Sequence, residues 1–185
     1  MDGDGNPLPP LRRDHLKKSG MLFGDLLAES LAVNATLMAP KSCFERAGPY
    51  DESLRWGEGQ DMILRLSVMF PFQSIDEKLY SYRVHEGNST VTVPEKTRYY
   101  YKSVILHRHI REHWDLLDDR ARRDARTRLL TYYSRSGQRR KLYAESLLLF
   151  AGRILKPGKG EPGKGLAKLT MNSGIRLRTP RAICF

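Results

Sequence analysis

A proline at position 71 fixes the end of the most strongly patterned stretch in this chain of 185 residues. Before it, Met62, Leu66, Met69 and Phe70 fall at i, i+4, i+7 and i+8, which is one apolar face of an α-helix. Gly59 and Gln60 lead into that helix. Pro71 stops it, because proline has no N–H to continue the ladder. The helix entrance carries two carboxylates, Glu58 and Asp61. A helix start is electropositive and presents free N–H groups, so a carboxylate there stays ionised and aimed. That suits a general base, and it suits an ordinary capping group equally well. Asp61 and Arg65 stand in the favourable acid-first i, i+4 order, a pairing that contributes about 0.2–0.5 kcal/mol when exposed.

The flanks carry weaker patterns. Residues 1–20 are turn-rich and irregular. Asp2-Gly3-Asp4 has the look of an Asp-x-Asp metal pair, but no buried apolar strand precedes it, so a turn is expected. Between 20 and 32, Leu22, Phe23, Leu26, Leu27 and Leu31 have helical spacing. Residues 33–38 read as a short buried strand, and 42–47 as a short helix with Gly48 placed to end it. Pro49-Tyr-Asp-Glu52 is a turn. Beyond Pro71, residues 72–75 and 78–84 read as strands. In the second, Tyr80, Tyr82 and Val84 alternate with Leu79, Ser81 and Arg83. His85 falls at that strand's end, a place open to a structural or a functional role. Asn88-Ser-Thr90 has the spacing of a glycosylation acceptor, moot in a chain read as lacking a secretion signal.

From Pro94 onward the periodicity is helical. Tyr99, Val104, Ile105, Leu106 and Ile110 mark one helix to about Trp114. Asp115-Leu-Leu-Asp-Asp119 is a capped break. A second helix is expected to about Ser134, and a third from near Gly137 through Ile154. Arg135, Arg139, Arg140 and Lys141 form a positive cluster. Residues 157–165 are a glycine- and lysine-rich linker without the spacing of a phosphate loop. The formal net charge is +11, much of it beyond residue 97. Such a surface attracts nucleic acid, anionic lipid or phosphorylated substrates without choosing among them. No apolar run approaches the roughly 20 residues of a membrane span. Two cysteines, Cys43 and Cys184, lie far apart with no metal spacing, which favours a reduced, cytoplasmic setting.

Three runs taken in order resemble the second half of a family 2 glycosyltransferase with the GT-A fold. They are Lys41-Ser-Cys-Phe-Glu-Arg-Ala-Gly-Pro-Tyr-Asp-Glu52, Glu58-Gly-Gln-Asp-Met-Ile-Leu-Arg-Leu66 and Leu79-Tyr-Ser-Tyr-Arg-Val-His85. The resemblance covers about residues 25–93. It implies an α/β fold, an incomplete GT-A (Rossmann-like) half domain over 1–93. A small helical bundle would follow over 94–155, and a basic flexible tail over 156–185. It implies a sugar passed from a nucleotide-sugar donor to a glycan or lipid-linked acceptor, with a carboxylate taking the acceptor's proton. It further implies a divalent metal, Mg²⁺ or Mn²⁺, behind the diphosphate. The family's usual base aligns with Gly59, which leaves Glu58 and Asp61 as the candidate catalytic residues. His85 matches a histidine near the metal, and Arg83 beside it is placed to meet phosphate.

Such an enzyme has roughly 100 further residues in a nucleotide-binding half, so this polypeptide alone is expected not to transfer sugar. A non-catalytic remnant or interaction module is the second expectation. A nucleic-acid-binding domain, suggested by charge alone, ranks last: no helix-turn-helix, zinc spacing or stacking array is present. The basic tail also suggests peripheral contact with a membrane.

Overall fold

The computed structural model describes residues 2, 5–6, 18–29, 34–77, 79–154 and 182–184; for 149–154 and 182–184 the description is of backbone alone. In chain order, the elements are α1 (Phe23–Ala28), a 3-10 turn (Asn34–Thr36), β1 (Leu37–Met38), α2 (Lys41–Ala47), α3 (Glu58–Met69) and β2 (Phe72–Ser74). Then come α4 (Ser89–Thr92), α5 (Glu95–Glu112), a second 3-10 turn (Trp114–Leu116), α6 (Asp119–Ser136), α7 (Arg139–Ile154) and β3 (Ala182–Cys184).

The expected α/β, GT-A-like half domain is not what forms. Helices make the body of the protein, and the strands are two or three residues long. They pair in the order β1-β3-β2, with β3 antiparallel to β1 and parallel to β2. The expected strand at 78–84 is absent over its described part, residues 79–84. Its alternation is genuine, but Leu79, Tyr80, Tyr82 and Val84 are all exposed. A strand needs a hydrogen-bonded neighbour and a layer over one face, and among the described residues none pairs with 79–84 as a strand. The strand expected at 33–38 shrinks to Leu37–Met38, behind a 3-10 turn, with Met38 exposed. The helix expected over 20–32 is described as Phe23–Ala28, and part of that expectation, at 30–32, lies outside the described residues.

The helical expectations beyond Pro94 hold closely. Asp118 caps α6, its carboxylate accepting the Ala121 N–H at 2.7 Å, which satisfies one of the free donors of a helix start. Gly137 ends α6 in the left-handed conformation (φ 76°, ψ 18°), its own N–H bonding the Ser134 carbonyl, as a glycine without a Cβ can. Asp118 and Gly137 thus hold α6 to a definite length between α5 and α7.

One apolar cluster unites the two ends of the chain. Leu26 and Leu27 of α1, Met62 and Leu66 of α3, Ile105 and Leu106 of α5, and Leu129 and Tyr133 of α6 are all buried in it. Each fully buried leucine or isoleucine contributes about 1.5–3 kcal/mol relative to exposure. The cluster therefore crosses the boundary expected at residue 93. α1 packs on α6, and α3 packs on α5. This crossing brings the start of α3 against the polar side of α5. No helix among the described residues is long and apolar enough to cross a membrane.

Candidate functional site: a buried carboxylate cluster

Gly57 sets the direction of α3. It takes φ 87° as the residue before the first helical turn, a conformation open to glycine at little cost. A Cβ there would sit 2.9 Å from Ile105 Cδ1. Given that direction, Glu58 stays exposed while Asp61, one turn on, is 1% exposed.

A buried carboxylate must be paired and hydrogen-bonded to remain charged. Asp61 meets that need through three side chains. Arg65 Nε donates to Oδ2 at 2.9 Å. Arg108 Nη2 donates to Oδ1 at 2.5 Å. His109 Nε2 lies 2.8 Å from the same Oδ1. Burial alone would raise the Asp61 carboxyl; the bonds from His109 and Arg108, with their charges, outweigh it and hold it below the usual carboxylate range. Arg108 carries the network outward, its Nη1 donating to Asp51 Oδ2 at 2.7 Å. The bond from Arg108, and then that from the Ser53 hydroxyl, lowers Asp51 to about 2. Arg65 turns its Nη1 to the Ala47 carbonyl at 2.6 Å, closing the end of α2 onto α3.

Pro49, Asp51, Asp61, Arg65, Arg108, His109 and Glu112 line a cleft of about 260 Å³. Two atoms at its walls, His109 Nδ1 and Arg65 Nη2, are buried with no hydrogen-bond partner among the described residues. His109 itself stacks on His113 at 5.9 Å and meets the edge of Phe23. Burial, and then the charge of His109, pulls His113 below the ordinary histidine value. The cleft thus offers donors and acceptors side by side, with two guanidinium groups already neutralised by two carboxylates.

Of the residues singled out in the sequence, Asp61 lines this cleft, whereas Glu58, Arg83 and His85 do not. Arg83 and His85 are exposed on the segment between β2 and α4. That segment is held locally: Asn88 Nδ2 donates to Tyr82 Oη at 3.0 Å and to the Arg83 carbonyl at 2.9 Å. None of the hydrogen bonds or ion pairs found among the described residues joins Arg83 or His85 to Glu58 or Asp61. Among the described residues, no group of three or more His, Cys, Asp or Glu could hold a metal ion. At Gly59, where the resemblance expects an acid, a Cβ would lie 2.5 Å from Asn34 Cβ and Cγ. That position is closed by packing.

Sequence reasoning missed Arg108 and His109, the main partners of Asp61. The signal was present. The apolar rows of α5 at Ile105, Leu106 and Ile110 enclose His107-Arg108-His109, and a polar residue inside an apolar helix face asks for a buried partner. Compared with known proteins, the chain matches no family model, no curated protein and no solved structure.

Proposed function

We propose that this chain is an acceptor-binding segment of family 2 glycosyltransferase type, and that these residues hold a sugar acceptor and do not themselves transfer sugar. One observation carries the reading. Asp51, Asp61 and Arg65, which belong to two of the three runs that resemble that family, come together at a single cleft. Mixed carboxylate and guanidinium walls beside Pro49 suit the hydroxyl groups of a glycan, which both donate and accept hydrogen bonds. Asp61 positions Arg65, Arg108 and His109; its own oxygens are already taken by three donors, which argues against its taking a substrate's proton. Transfer, with its nucleotide-sugar donor and divalent metal, would need a nucleotide-binding half acting with this segment. The reading places the chain in the cytoplasm, where it would meet a glycan or lipid-linked acceptor.

Saturation-transfer NMR with a panel of oligosaccharides tests this. A binder is expected, and Glu112→Ala, at the exposed edge of the cleft, should weaken its signal without unfolding the chain. No saturation with any oligosaccharide, or equal saturation in the variant, would overturn it.

A non-catalytic interaction module is the second reading, favoured by the glycine at 59 and the closed packing around it. An upward melting shift with Mn²⁺ and a nucleotide sugar would count against that reading.

A further inference from the structure

Over its described side chains, residues 139–148, α7 packs on the protein with one side. Leu142 is half-buried against the core, and Glu145 is buried, 3.2 Å from Arg126 of α6. On the other side, Tyr143, Ala144, Leu147 and Leu148 stand at i, i+1, i+4 and i+5, and every one of them is exposed. Tyr143 is 72% exposed, Leu147 68% and Leu148 51%. Such a spacing is the apolar stripe by which a helix normally enters a core, but here it faces outward. The backbone of the helix continues to Ile154.

Charge selects what covers this stripe. Arg139, Arg140 and Lys141 are exposed at the start of α7, and Arg135 at the end of α6. A second copy laid parallel would bring the same positive cluster against itself, and one laid antiparallel would leave it without an anionic partner. The sequence beyond 154 has seven lysines and arginines against one glutamate, so it offers little negative charge to answer the cluster. A nucleic acid would satisfy the charges and leave the leucines in water. An apolar stripe bordered by arginine and lysine fits the interface of a bilayer with anionic headgroups, where side chains enter the acyl boundary and cations stay among the phosphates. We infer that α7 is an in-plane docking helix for anionic phospholipid membranes, lying along the surface and not through it. This rests on α7 alone and does not depend on the acceptor-binding reading.

The test is flotation of the full chain with vesicles of phosphatidylglycerol and phosphatidylcholine, against vesicles of phosphatidylcholine alone. Binding is expected to the first and not the second, and to fall as salt rises. Leu147→Gln with Leu148→Gln removes apolar area, leaves every charge in place, and should weaken partitioning at least about tenfold. Its melting temperature should not change, because both side chains are exposed. Binding retained in that double variant would mean that basic charge alone acts, and would overturn the proposal. So would equal binding to both vesicle types, no binding to either, or a concentration-dependent dimer that the double variant abolishes.

Discussion

Asp61 of α3 and His109 of α5 meet at 2.8 Å with side chains 1% and 2% exposed, 48 positions apart in the chain. This pair ties the acid-bearing helix entrance to the helix that follows the exposed tyrosine segment. It does so at the wall of the one cleft that carries the functional proposal. The energetics of this contact therefore bear on both fold and function.

Asp61→Asn should destabilise the protein by about 1–3 kcal/mol, because Arg65 would lose its carboxylate while Arg108 would keep only Asp51. Glu58→Gln, three residues earlier and exposed, should stay within about 0.5 kcal/mol. Urea denaturation of both variants checks the contrast. Equal effects would mean that Asp61 is no hub.

Acid should unfold the protein through Asp51 and Asp61. Both carboxyls titrate below their unfolded values in the folded state, Asp51 at about 2. Their stabilisation is complete above the unfolded value of about 4 and is lost as pH falls toward 2. His113, lowered by burial and then by His109, adds an earlier loss beginning near pH 6.5, since the unfolded chain takes up that proton first. Urea midpoints measured from pH 2 to 7 should show both limbs. Asp51→Asn should flatten the lower one and leave the upper one in place.

Gly59→Asp, which installs the acid of the glycosyltransferase pattern, should cost about 1–3 kcal/mol through its overlap with Asn34. Asn34→Gly in the same chain should recover part of that loss. Melting temperatures of the single and double variants decide it. A neutral Gly59→Asp would show that the 34–36 turn yields easily.

Arg128 closes the end of α1. Its Nη1 donates to the carbonyls of Leu26 and Leu27 at 2.9 and 2.8 Å, groups that the helix itself leaves free. Arg128→Leu should therefore destabilise by about 1.5–3 kcal/mol, the range for hydrogen bonds to a charged group. Amide exchange should accelerate in residues 23–28 ahead of α6. Uniform acceleration would place the damage elsewhere.

Much of this was legible in the residues. The rows of α3 and α5 appear as 3.6-residue periods, and Asp118, Pro71 and Gly137 stand where elements begin or end. Asp61 was visible as an acid at a helix start. Its depth was not, because the i, i+4 partner Arg65 looks the same on an exposed face as in a buried one. The tyrosine segment misled for a related reason. Alternation of Tyr80, Tyr82 and Val84 describes which side chains share a side, and says nothing about whether a neighbouring strand exists to pair with them. At α7 Leu142, Leu147 and Leu148 were readable as helical, but not that Leu147 and Leu148 would face outward.

By itself, then, the sequence determined the long helices α3, α5, α6 and α7 and where they begin or end, since those follow from contacts within four residues along the chain. Tertiary structure alone decided that α1 would pack on α6 and α3 on α5, that Asp61 would be sealed by Arg108 and His109, and that residues 79–84 would lie uncovered. Burial and long-range ion pairing depend on which surfaces meet, and local spacing carries no record of that choice.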